Sequence, residues 1–188
     1  MFIVKKLSDN SKEYLNTYYE IIDQMKNAMQ EDINSKSISE TYIKQIIPHH
    51  EAGVKLSENI LKYTTNVDVE NFAKNYIFDQ NIEIEKLQNM LEECACVCNS
   101  ERDIKLYTRK FNEILDMMMK KLNMGPATNN IDALYLSSML IHSEGAISFA
   151  KNALSYNICP SLKQLLSDII DERNIYIKTI KDVLKNIM

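Results

Sequence analysis

The sequence predicts an all-α fold of six helices, arranged as two tandem three-helix repeats. Three observations carry this. Apolar residues recur at three- and four-residue spacing, and no alternating strand pattern competes with them. Three Gly and three Pro in 188 residues leave little material for turns, so long elements joined by few loops are expected. One constant offset of 93 positions relates the two halves: Tyr14 to Tyr107, Ile21 to Ile114, Met25 to Met118, Tyr42 to Tyr135, His49 to His142, Glu51 to Glu144, Tyr63 to Tyr156 and Ile77 to Ile170. Shared helical periodicity would produce some of these matches but would not also keep the helix breaks in phase. Internal duplication accounts for both.

In chain order, the first helix is expected over about Asn10 to Gln30, where Tyr14, Tyr18, Ile21, Ile22, Met25 and Met29 share a face. Ser37-Ile38-Ser39-Glu40 reads as a capping box that starts a second helix, running to about Lys62. Thr64-Thr65-Asn66 breaks it, and a third helix follows from about Asp68 to Glu93. The second half repeats this plan over Glu101 to Asn123, Asn130 to Tyr156 and Ser161 to Ile187. Met124-Gly125-Pro126 supplies one break, and Cys159-Pro160 supplies the other, with Pro160 suited to a first helical position. The expected division is 1–98 for the first repeat and 99–188 for the second, packed as one compact domain about a pseudo-twofold axis.

Composition narrows the function. The formal net charge of −4 gives no electrostatic drive toward nucleic acid or an anionic membrane. No run approaches the ~20 apolar residues that a membrane span needs. The N-terminal stretch Met1 to Ser8 holds no apolar segment of signal-peptide length, so a cytoplasmic protein with reduced thiols is expected. The partners left open are a metal ion and a second copy of the chain.

The chemistry sits on two helices. On the second, one inward seam reads Tyr42, Ile46, His49, Gly53, Leu56, Ile60, and a parallel seam reads Ile43, Ile47, His50, Val54, Ser57, Leu61. Both histidines thus lie on the apolar face, and Gly53 is expected to leave room beside His49. Glu51 falls on the wet row with Lys44, Pro48, Lys55 and Glu58. Pro48 inside the helix removes a backbone hydrogen bond and is expected to kink it. The seam of the third helix is Val69, Ala73, Tyr76, Gln80, Glu83, Leu87, Met90, which turns an amide and a carboxylate inward. A buried carboxylate must find a partner. One reading is a metal site made by His49, His50, Glu83 and Gln80, suited to Cu, Zn, Fe or Ni. The other is a metal-free buried hydrogen-bond network of the same residues. The second copy has lost the set: Pro48 becomes Ile141, His50 becomes Ser143, Gln80 becomes Arg173 and Glu83 becomes Tyr176. A guanidinium near His142 would repel a cation there.

The string Tyr42 to Gly53, with Gln80-Asn81-Ile82-Glu83-Ile84 about thirty residues later, resembles the domain of unknown function 305 family. That family's pattern is an aromatic, then Met-Ile-Pro-His-His-Glu/Gln-Gly-Ala, then a spaced Gln-x-x-Glu-Ile. Ile141-His142-Ser143-Glu144-Gly145-Ala146 resembles it again, without the proline, the second histidine or the Gln-x-x-Glu. The resemblance implies a ferritin-like helical bundle and a metal association, notably with copper, carried here by His49, His50, Gln80 and Glu83.

Weaker candidate ligands are His142, Glu51, Glu144 and the thiols of Cys94, Cys96 and Cys98. The cysteine spacing is not the two-residue gap of most structural zinc sites. Met117-Met118-Met119 reads as core filling. No nucleophile–base pair, phosphate loop or pair of Glu-x-x-His sets is visible, so the sequence points to a non-catalytic binding module or a structural module rather than an enzyme.

Overall fold

The computed structural model describes residues 6–31, 33–125 and 128–187. Its helices are α1 (Asp9–Met29), α2 (Ile38–Ile60), α3 (Val67–Asn89), α4 (Leu91–Ala95), α5 (Glu101–Asn123), α6 (Ile131–Leu154) and α7 (Pro160–Ile187). No strand occurs among the described residues. Short polar side chains start most of these helices by accepting an orphan backbone N–H: Ser8 from Ser11, Ser37 from Glu40, Asn66 from Asp68 and Val69, Ser100 from Asp103, Asn130 from Ala133. Pro160 opens α7, where its missing N–H costs nothing.

Two expectations are corrected. The capping box at Ser37 is half formed. Glu40 does not reach back to the Ser37 backbone, whose N–H donates to Ser35 Oγ at 2.9 Å instead; the Glu40 carboxylate takes Ser35 Oγ at 2.6 Å and Lys44 Nζ at 2.6 Å. The third predicted helix is two. α3 stops at Asn89, the chain pivots at Met90, and α4 adds a seventh helix where a connection was expected. The pivot lets Cys94 face inward: its carbonyl accepts the Ser37 hydroxyl at 2.8 Å, tying the end of the first half to the start of α2. Met124 and Gly125 end α5 as expected, while Pro126 and the stretch Met1 to Lys5 lie outside the described residues.

The two histidine-bearing helices are the middle of the molecule. α2 packs on α1, α3 and α6; α6 packs on α5, α7 and α2. Every member of the seam Tyr42, Ile46, His49, Gly53, Leu56, Ile60 is buried, as is Val69 through Leu87 on α3. Pro48 lies within α2, which continues through it.

Contacts recur at the offset of the sequence repeat. Asn59 Nδ2 donates to the Tyr14 carbonyl at 3.2 Å, and Asn152 Nδ2 to the Tyr107 carbonyl at 3.1 Å. Tyr14 meets Tyr63 edge-on at 5.8 Å, and Tyr107 meets Tyr156 edge-on at 6.0 Å. Each asparagine bonds a helix carbonyl that already accepts within its own helix, so its loss strands little. Asn59→Ala and Asn152→Ala should therefore each cost about 1 kcal/mol, equally within error. Urea denaturation of the two variants measures this, and a cost confined to one half would show that the equivalent bonds do unequal work.

Candidate metal centre

All three histidines are fully buried. His49 from α2 and His142 from α6, equivalent residues of the two halves, stack face to face with ring centroids 3.6 Å apart and planes inclined by 9°. None of their four ring nitrogens has a hydrogen-bond partner. His50 points elsewhere, edge-on to His49 with centroids 5.8 Å apart. Its Nδ1 lies 2.7 Å from Gln80 Oε1, and Gln80 Nε2 donates to Glu83 Oε2 at 2.6 Å. Since Gln80 presents its acceptor to His50, Nδ1 carries the imidazole proton, and Nε2 keeps a free lone pair with no partner.

Glu83 is paired with Arg173 of α7, and both side chains are buried. The guanidinium also lies over the rings of Tyr76, at 5.4 Å, and Tyr176, at 5.3 Å. Tyr176 bonds Asp79, and its hydroxyl oxygen is 2.9 Å from Glu172. One hydroxyl proton cannot serve two carboxylates. Burial first, and the charge of Glu83 second, push the Glu172 carboxyl above its ordinary value.

The geometry separates the predicted ligands. His50, Gln80 and Glu83 come together, but Arg173 fills the role of the cation. Arg173 was expected to bring a positive charge near His142, and its charge is among the causes that lower that imidazole; it also reaches the first copy and pairs with its Glu83 carboxylate. Among the described residues no three His, Cys, Asp or Glu side chains are placed to hold one ion. Glu51 is exposed, and Glu144 pairs with Lys121 at 3.3 Å on the surface. Cys94 is buried while Cys96 and Cys98 are exposed, so the three do not converge. The room expected beside His49 is also elsewhere: a Cβ on Gly53 would come within 3.0 Å of His142 Nε2 and 2.9 Å of Tyr76, whereas Gly145 is the glycine facing His49. Each glycine admits the imidazole of the opposite half.

Sequence reasoning assigned Met118 to core filling, and Met118 is indeed buried. A Cβ on Gly145 would clash with its sulfur and would lie 3.8 Å from His49 Nε2, which puts a buried thioether next to the stacked pair. A surface groove of about 360 Å³, lined in part by Met117, Met118, Lys121 and Gly145, runs up to it. The exchange of Gln80 and Glu83 for Arg173 and Tyr176 was the visible signal for the ion pair; the run Met117 to Met119 was visible too, but helical spacing does not say that Met118 meets Gly145.

The comparisons with known proteins bear on this centre. The family described as "Domain of unknown function (DUF305)" matches residues 12–91 and again 107–184. The chain belongs to the DUF305 family, as a tandem pair. No curated protein sequence matches it. Among solved structures it is similar to CopM in its Ag-bound form, with 21% identity over 79% of this chain and 95% of that one at a TM-score of 0.58. It is equally similar to CopM in its Cu(II)-bound form, with 21% identity over 79% and 96% at 0.58. A DUF305 fragment from Deinococcus radiodurans gives 17% identity over 79% and 96% at 0.58. At these identities the likeness is one of fold.

Two predictions follow from the electrostatics. Arg173→Met leaves Glu83 as an uncompensated buried charge and should cost about 3–5 kcal/mol, read by denaturant unfolding, whereas Glu83→Gln with Arg173→Met should recover part of it. The histidines set the acid limit. Burial, chiefly, with Arg173 and the neighbouring imidazoles, holds His50 and His142 at about 3 and His49 well below its ordinary 6.5. Between pH 6.5 and about 3 the unfolded chain binds protons that the folded chain refuses. Stability is thus intact above pH 6.5 and falls as pH drops, by about 1.4 kcal/mol per pH unit for each histidine. Circular dichroism of chelator-treated protein should show cooperative acid unfolding within this window; stability unchanged down to pH ~4 would contradict the sealed neutral imidazoles.

Proposed function

We propose that this protein is a non-catalytic bundle that binds a soft or borderline transition-metal ion at the contact between its two halves. His49, His142 and the Met118 sulfur are the donors, with His50 Nε2 nearby. The observation that carries the reading is the stacked His49–His142 pair with four unpartnered nitrogens in a sealed interior. A buried polar group without a partner costs about 1–3 kcal/mol, so such a cluster is expensive unless something completes it. Neutral imidazole and thioether suit copper, silver in its place, or zinc. CopM, of the same fold, is known in Cu- and Ag-bound forms, which agrees with this choice. The lone pairs of stacked rings lie side by side, so an ion shared by both requires one ring to turn. The groove beside Met117 and Met118 offers a route from solvent. In this reading the ferritin-like arrangement places the two repeats about a pseudo-twofold axis through the stacked rings, and Glu83 is the counter-charge of Arg173 rather than a ligand.

The second reading is a structural module without metal. The chain of contacts from His50 through Gln80 and Glu83 to Arg173 favours it, because these four side chains already pair with one another, leaving His50 Nε2, Glu83 Oε1 and Arg173 Nε and Nη1 without a hydrogen bond.

Metal analysis of protein purified without an affinity tag, then titrated with Cu(I), Ag(I) or Zn(II), separates the two. Binding should raise stability by about 2.7 kcal/mol at a hundredfold excess over Kd. His49→Ala with His142→Ala should abolish the gain, and Glu83→Gln should not. Ion-independent melting in the wild-type chain would leave the structural reading.

A further inference from the structure

A second buried cluster lies at the junction between the halves, away from the histidines. Cys94 of α4 and Cys159, the residue before α7, are both buried, 65 positions apart in the chain. Both sulfurs contact one hydroxyl: Ser161 Oγ is 3.0 Å from Cys159 Sγ and 3.9 Å from Cys94 Sγ. The junction is fixed from both sides. Ser37 Oγ holds the Cys94 carbonyl at 2.8 Å, and the Cys159 N–H donates to Ser39 Oγ at 2.9 Å. Asn99 bridges the same point, accepting from the Ile38 N–H at 2.9 Å and donating to the Asn157 carbonyl at 2.7 Å. The start of α2 therefore positions the two thiols against each other. Duplication does not account for the pair, since the position equivalent to Cys159 in the first half is Asn66.

We propose that Cys94 and Cys159 are a redox-active dithiol that closes to a disulfide when the chain meets a small-molecule disulfide oxidant. The thiolate of Cys159 attacks one sulfur of the oxidant and releases one small thiol, leaving a mixed disulfide. The thiolate of Cys94 then attacks the Cys159 sulfur, forms the protein disulfide and releases the second small thiol. The two protein thiols lose two electrons, the oxidant gains them, and the two protons lost by the cysteines end on the two released thiols. Burial and the contact with Cys159 push the Cys94 thiol up to about 12, so closure is slow and follows local opening of the junction. Glu93, which accepts from Ser161 at 3.1 Å and from Cys159 at 3.5 Å, lies on the exposed side, where that opening begins. The bond closes a loop that contains α5 and α6, fastening the last helix to the end of the first half. Exposed Cys96 and Cys98 take no part.

The test uses the full chain incubated with oxidised glutathione under native conditions, followed by alkylation of free thiols and peptide mapping. The expected product links the Cys94 peptide to the Cys159 peptide. It raises the melting temperature by roughly 5–10 °C relative to the reduced chain. The C96S/C98S double variant, changed only at exposed positions, should form the same link with the same shift. C159S should lose both while keeping its helical circular-dichroism spectrum. A link through Cys96 or Cys98, or four free thiols after prolonged incubation of folded protein, would overturn the proposal.

Discussion

The buried pair of Glu83 and Arg173 governs the polarity of the whole interior. Two charges taken out of water are costly unless they meet in good geometry. Here Gln80 and Arg173 both bond Glu83 Oε2 and two tyrosine rings face the guanidinium, while Glu83 Oε1 and Arg173 Nε and Nη1 have no hydrogen-bond partner. The pair is neutral as a unit, but Arg173 still acts on what surrounds it: it is among the causes that keep all three imidazoles uncharged. The centre is thus a store of neutral nitrogen donors beside a compensated ion pair. No carboxylate remains free there to offset a second positive charge. In the metal-binding reading proposed above, a singly charged ion held by imidazole and thioether would disturb that balance less than a doubly charged one, which favours the soft end of the metal range.

Duplication explains the frame, and divergence explains the centre. The bonds from Asn59 and Asn152, and the tyrosine edges at Tyr63 and Tyr156, are kept in both halves because each serves only its own half. The residues equivalent to Gln80 and Glu83 face the other copy instead. Arg173, which stands where the first copy has Gln80, makes an ion pair with Glu83, and Tyr176, which stands where it has Glu83, donates to Asp79. The cost is asymmetry: His50 keeps its amide partner, while Ser143, at its equivalent position, is buried with none.

How far the sequence reveals this follows from what periodicity encodes. Spacing fixes which face of a helix turns inward, so the burial of His49, His50, Gln80 and Glu83 was legible, as were caps at Ser37 and the start at Pro160. Spacing does not say which faces meet. The stack of His49 on His142 depends on how α2 and α6 cross, and the reach of Arg173 to Glu83 on how α7 lies against α3. The break at Met90 was hidden for a related reason: Leu87, Met90, Leu91 and Cys94 keep helical spacing, while the pivoted segment is held by tertiary bonds such as those from Ser37 to the Cys94 carbonyl and from Ile38 to Asn99, which spacing does not encode.

The glycines close the argument about the two imidazoles. Gly53 and Gly145 are not equivalent positions; Gly145 answers Ala52, and Ala146 answers Gly53. A strictly symmetric contact would put the gap at the same place in each copy. Here one gap admits His142 together with Tyr76, and the other admits His49 together with Met118. The displaced glycine lets two large rings overlap at a helix crossing while leaving different neighbours on either side: a phenol on one, a thioether on the other. The Met118 side lines the surface groove. The asymmetry that the sequence shows as a one-residue shift in a Gly–Ala pair thus puts Met118 and Gly145 on the wall of that groove.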